Sequence, residues 1–96
     1  MTISREQRER YRKIKSDLRS LVSSLSDSLP VEDVVYTNRL VEANEYGEAL
    51  DNLVALIVNQ RCALAERQYR AICDLASSMK MLVDEAHQRS LRELIR

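Results

Sequence analysis

A chain of 96 residues that holds one glycine and one proline has almost nowhere to place a tight turn. Sheets built of hairpins need glycine, asparagine or proline at short intervals, so this scarcity argues against them. Leucine, alanine, glutamate, arginine and glutamine, which lose little on entering a helix, fill the chain instead. The expectation is an all-α fold, a compact bundle of roughly four to five helices in antiparallel hairpins, with residues 1–96 as a single domain. At 11.1 kDa there is material for one core and not for two.

Ser4 stands three residues before Gln7, a capping-box spacing that starts a first helix at about Arg5. Tyr11, Ile14, Leu18, Leu21, Val22 and Leu25 then recur at steps of three and four, and the helix runs to about Ser24. A serine-rich cluster ends it, and Pro30 opens a second helix to Ala43, with Val31, Val34, Val35 and Val41 facing inward. The β-branched residues of that segment weaken its helical preference, so packing has to hold it. Asn44, which tolerates a left-handed conformation, stops it and closes a tight hairpin with a third helix over Glu45 to Gln60. In that helix Tyr46, Ala49, Leu50, Leu53, Val54 and Ile57 make an unbroken apolar stripe. The stretch Leu64 to Met79 repeats the pattern with Tyr69, Ile72, Cys73 and Ala76. A last segment carries Leu82, Ala86, Leu91, Leu94 and Ile95, and Asp84 is placed to cap it as a separate fifth helix.

Gly47, the lone glycine, falls in the first turn of the third helix, where it costs up to about 1 kcal/mol relative to alanine. Close approach by a neighbouring backbone or by a partner would compensate. Cys62 and Cys73 are eleven residues apart, on one helix roughly 16 Å, too far to bridge, and read as small buried thiols. With one histidine, His87, and no nearby cysteine pair, no metal set is expected. No nucleophile with a base and an orienting group stands out, so neither an enzyme nor a cofactor is expected. No run of apolar residues is long enough for a membrane span, and the start Met1-Thr2-Ile3 lacks a signal-peptide core, so the cytoplasm is the default location.

Charge is uneven although the formal sum is zero. Arg5, Arg8, Arg12, Lys15 and Arg19 form a basic stripe along the first helix. A net charge of zero, a pI near 6.6 and the lack of an aromatic residue within that stripe argue against nucleic acid as the partner. The middle of the chain is an acidic island: Asp27, Glu32, Asp33, Glu42, Glu45, Glu48 and Asp51 surround a single Arg39. Such a surface attracts a basic protein and speeds its association, and Tyr36 and Tyr46 are anchor residues within reach.

The run Leu40-Val41-Glu42-Ala43-Asn44-Glu45-Tyr46-Gly47-Glu48-Ala49-Leu50-Asp51-Asn52-Leu53 resembles the central motif of MafI-type immunity proteins of bacterial polymorphic toxin systems. In those, an apolar helix end leads into an acid-aromatic-glycine turn and then an Ala-Leu-acid run. The resemblance implies a small cytoplasmic helical protein that binds a cognate toxin domain, often a nuclease, and blocks it without catalysis. It nominates Glu45, Tyr46, Gly47, Ala49, Leu50 and Asp51, with Gly47, Ala49 and Leu50 as the structural part. Together with the charge layout, the partner-binding expectation covers Asp33, Tyr36, Glu42, Glu45, Tyr46, Glu48 and Asp51. The alternative is a helical adaptor or small structural subunit acting as a homodimer, since Tyr11, Ile14, Leu18, Leu21 and Leu25 keep a spacing compatible with a coiled-coil seam.

Overall fold

The computed structural model describes residues 4–96; the first three residues, with the leader-free start read from them, lie outside the described residues. Five helices follow in order: α1 Arg5–Leu25, α2 Val31–Glu42, α3 Tyr46–Gln60, α4 Glu66–Ser78 and α5 Glu85–Glu93. A 3-10 turn, Ser26–Ser28, joins α1 to α2. No strand forms among the described residues, so the fold is an all-α bundle. None of its helices is long and apolar enough to cross a membrane.

α1 begins where the capping box places it. Ser4 Oγ accepts from the Gln7 amide at 3.2 Å, and Gln7 Oε1 accepts from the Ser4 amide at 3.3 Å. Its stripe Ile14, Leu18, Leu21, Val22 and Leu25 is buried, whereas Tyr11 at the head of the stripe is 43% exposed. α3 is the centre of the bundle: α1, α2, α4 and α5 all pack on it. Its residues Ala49, Leu50, Leu53, Val54 and Ile57 are buried. The α2–α3 pair is the expected hairpin. α4 lies against α1 and α3 and α5 against α3, and Arg92 Nε of α5 donates to the Tyr69 hydroxyl of α4 at 3.1 Å.

α2 packs differently from the expectation. Val34, Thr37 and Val41, at steps of three and four, face the core, whereas Val31 is 76% exposed and Val35 43% exposed. A helix has one face to bury, and Val31 and Val35 lie off the one that Thr37 and Val41 define. Thr37 is tolerated there because its polar atom is bonded twice: Oγ1 donates to the Asp33 carbonyl at 2.8 Å and accepts from Asn52 Nδ2 at 2.8 Å. That second bond ties α2 to α3.

Three helices stop the same way without glycine. Asn44, Arg61 and Lys80 take left-handed φ values of 63°, 50° and 55°. Each donates its amide three residues back (Asn44 to Val41, Arg61 to Val58, Lys80 to Ser77). The next amide reaches five residues back, Glu45 to Leu40, Cys62 to Ile57 and Met81 to Ala76. This Schellman pattern satisfies carbonyls that a helix end leaves open. Lys80 thereby breaks the chain between α4 and α5. Asp84 starts α5 as expected, its Oδ1 accepting from Ala86 N at 2.7 Å and His87 N at 3.3 Å.

Other expectations are corrected here. Leu64 lies in the connector before α4 rather than in the helix. Its amide donates to the Leu94 carbonyl at 2.9 Å and its carbonyl accepts from Arg96 N at 2.8 Å, tying that connector to the C-terminal residues. Leu82, read as part of an apolar stripe, sits in the α4–α5 loop and is 97% exposed. Ala86 is exposed as well. Of the two thiols only Cys62 is buried, donating to the Ser28 carbonyl at 3.4 Å, and burial pushes its pKa up. Cys73 is exposed because α4 turns its core face to Ile72, Leu75 and Ala76.

A left-handed lysine is strained by roughly 1 kcal/mol or more where glycine is not. Lys80 is exposed and joins no ion pair among the described residues. Lys80→Gly is therefore expected to raise stability by about 0.5–1 kcal/mol, read as a higher urea midpoint at unchanged slope. A lower midpoint would show that the lysine side chain contributes more than its backbone costs.

Candidate functional site

The turn between α2 and α3 assembles the motif residues. With Asn44 in the left-handed region, Tyr46 folds back and its hydroxyl donates to Asn44 Oδ1 at 2.9 Å. The Tyr46 ring leans on Tyr11 of α1, with centroids 6.4 Å apart and planes at 40°, within the usual range for a tilted aromatic pair. A hydrogen bond at one end and a ring contact at the other hold the side chain in one orientation. Ala49 and Leu50 point away from this surface and are 0% and 1% exposed, so these two residues of the motif belong to the core.

Gly47 does not have the neighbour that its cost led us to expect. Its φ is not positive, and a Cβ built on it would meet only Met81 Sδ, at 3.6 Å, an ordinary van der Waals distance. No other helix backbone approaches it closely. Within the described residues the fold does not require a glycine here.

Glu42 is already engaged. Arg19 Nε donates to Glu42 Oε1 at 2.8 Å, Arg19 Nη2 bonds the same oxygen, and Lys15 Nζ lies 3.6 Å from Oε2. The hydrogen bond from Arg19 holds the Glu42 carboxyl below its ordinary value of 4.5, against a smaller opposing effect of desolvation and with help from the charges of Arg19 and Lys15. The pairing fastens α1 to the end of α2 and engages two cations of the basic stripe, Lys15 and Arg19, with one carboxylate. Arg5, Arg8 and Arg12 carry no ion pair among the described residues.

The remaining carboxylates separate. Glu45 and Glu48 are exposed, make no ion pair among the described residues, and border a groove of about 420 Å³. Tyr46 and Gly47 line it too, and Arg10, Tyr11, Met79 and Met81 stand among its other walls. Asp51 is exposed beside a different recess, of about 220 Å³, formed with Leu82, Val83, Asp84 and His87. Asp33 is half-buried in the first turn of α2 and Tyr36 is 53% exposed on the same helix; neither lines either recess. The structure thus gathers Glu45, Tyr46, Gly47 and Glu48 into one place, sets Asp51 to its side, and leaves Asp33 and Tyr36 apart.

Sequence reasoning missed Arg10, Tyr11, Met79 and Met81 as neighbours of this surface. Tyr11 gave a faint signal by heading an apolar stripe. Nothing marked Met81, which reaches Gly47 only because Lys80 turns the chain back after α4. Compared with known protein families, curated proteins and solved structures, the chain finds no match.

Two outcomes follow. Glu42 is better ionised in the fold than in the unfolded chain, so its contribution is complete above the ordinary value of 4.5 and fades as pH falls through the lower folded value. Urea midpoints measured between about pH 6 and pH 3 should therefore fall less steeply for Glu42→Gln than for the parent; parallel curves would show that the pair is not populated in solution. Gly47→Ala adds a side chain at ordinary contact distance. It should leave the fold intact and raise stability by up to about 1 kcal/mol, measured by the same unfolding.

Proposed function

We propose that this protein is an immunity protein: it binds a cognate bacterial toxin domain, of nuclease type, and neutralises it by protein-protein contact without catalysis of its own. One observation carries the reading beyond the motif resemblance. Glu45, which stands at the N-cap of α3, and Glu48 and Asp51 on its first turns are exposed carboxylates with no intramolecular ion pair among the described residues. A surface that presents unpaired charge from a rigid, core-anchored helix loses little entropy when a partner meets it. A protein that cleaves nucleic acid offers the complementary surface, a basic cleft that binds phosphates. Opposite potentials on the two proteins raise the association rate and disfavour acidic competitors.

The homodimer alternative loses the feature that motivated it. Ile14, Leu18, Leu21 and Leu25, which would form a coiled-coil seam, are 0–4% exposed within the chain's own core. Of that spacing only Tyr11, at 43% exposed, stays on the surface.

Co-expression with the toxin encoded beside the gene should restore growth and suppress the toxin's activity; an unrelated neighbour and no rescue would remove the proposal. For the surface, reversal of Glu45, Glu48 and Asp51 to lysine should weaken toxin binding by well over about tenfold, with helicity by circular dichroism unchanged. A dissociation constant that does not move would put the interface on another face.

A further inference from the structure

Gly47 poses a question that the fold leaves open. It weakens the start of α3, has no left-handed φ, and admits a Cβ at 3.6 Å from the nearest atom outside its helix. Its missing side chain therefore serves no packing need among the described residues; Met81 Sδ packs beside it at van der Waals distance, and both residues line the groove between α1, α3 and the α4–α5 loop. The walls of that groove have a definite chemistry. Tyr11 and Tyr46 form a continuous aromatic wall, since rings 6.4 Å apart leave no room for another group between them. Met79 and Met81 are half-buried against the core and present flexible, polarisable thioethers. Glu45 and Glu48 stand at the rim, exposed and unpaired among the described residues, against the single cation Arg10.

We infer that this groove is a socket for an arginine side chain of a partner protein, stacked on the Tyr11–Tyr46 wall and paired with the Glu45 and Glu48 carboxylates. An arginine satisfies each wall at once. Its methylene stem covers the methionines, its planar guanidinium lies on an aromatic face, and its forked donors match carboxylates. An apolar side chain would leave both carboxylates desolvated and unanswered at the rim. Lysine would pair with them but stacks on the rings less well, because its ammonium is compact and strongly hydrated. Tyr46 is held by Asn44 before any partner arrives, so the aromatic wall is preformed. The larger groove between α1 and α4 has no aromatic side chain in its lining, Lys13 already pairs with Asp17 there, and Gln68 Nε2 already donates to Ser24 Oγ.

The inference rests on the proposed function for the partner's being a protein, and on the groove alone for the arginine. The test needs no toxin. The intact protein, labelled at its methionine methyls and tyrosine rings, is titrated with N-acetyl-arginine amide, N-acetyl-lysine amide and N-acetyl-norleucine amide, and the Met79, Met81, Tyr11 and Tyr46 resonances are followed. The arginine probe should give saturable shifts confined to the groove, with the lysine probe weaker and the norleucine probe showing none. Glu45→Gln with Glu48→Gln should weaken the arginine probe at least about fivefold. Gly47→Leu, which fills the floor with a better helix former, should abolish its binding while circular dichroism stays native. Shifts that never saturate, norleucine binding as well as arginine, or binding indifferent to Gly47→Leu would each overturn the socket. Arginine binding without toxin rescue keeps the socket and removes the immunity reading; rescue with a groove blind to arginine does the reverse.

Discussion

Everything else in the molecule leans on the buried stripe of α3. Ala49, Leu50, Leu53, Val54 and Ile57 are 0–4% exposed, and the four other helices pack around them. A short chain buries enough apolar surface only if one element is covered on several sides, and α3 is that element. Leu18 and Leu21 of α1, Val41 of α2, Ile72 and Leu75 of α4 and Leu91 of α5 are the side chains brought against the common core. Because the stripe starts at Tyr46, the same packing that stabilises the bundle also anchors the surface around the α2–α3 turn. Glu45 and Glu48 are held out to solvent by a helix whose next residues, Ala49 and Leu50, are immobilised in the core.

A second constraint is how the helices end. The glycine that would ordinarily stop a helix is absent from all three left-handed positions, which are filled by Asn44, Arg61 and Lys80. Each strained residue is offset by the two backbone bonds its turn creates, and each turn redirects the chain sharply. The redirection has a local result that matters for the surface: Lys80 delivers Met81 over Gly47. The helix stop at one end of the sequence thus helps to shape the groove made by the motif at its centre.

Charge is arranged by the same packing. The basic stripe of α1 and the acidic island of α2 and α3 look like two opposed tracts in one dimension. Among the described residues the ion pairs that join them are those of Arg19 and Lys15 with Glu42. Exposed pairs of this kind are worth little to stability, so their importance lies in what they remove from the surface. After that cancellation Glu45, Glu48 and Asp51 remain on one side, and Arg5, Arg8 and Arg12 on the other, each without an ion pair among the described residues.

Periodicity and scarcity of turn residues were sufficient to determine the helices. The capping box at Ser4, the left-handed Asn44, the apolar stripe of α3 and the cap at Asp84 were all legible, because each depends on side chains close in sequence. The burial of α2 was not, because a β-branched run does not show which of its faces will meet a neighbour; Thr37 won the core position over Val31 and Val35 through a partner fifteen residues away. The ends of α3 and α4 were legible at Gln60 and about Met79, but not how they are made, since neither Arg61 nor Lys80 favours the left-handed conformation that packing imposes on it. For the same reason the sequence alone determined that Glu45, Tyr46, Gly47 and Glu48 stand at a helix start. Only the tertiary structure decided that Tyr11, Met79 and Met81 complete a groove around them and that Glu42 and Asp51 stand outside it. Those contacts join residues distant in the chain, and no local propensity records them.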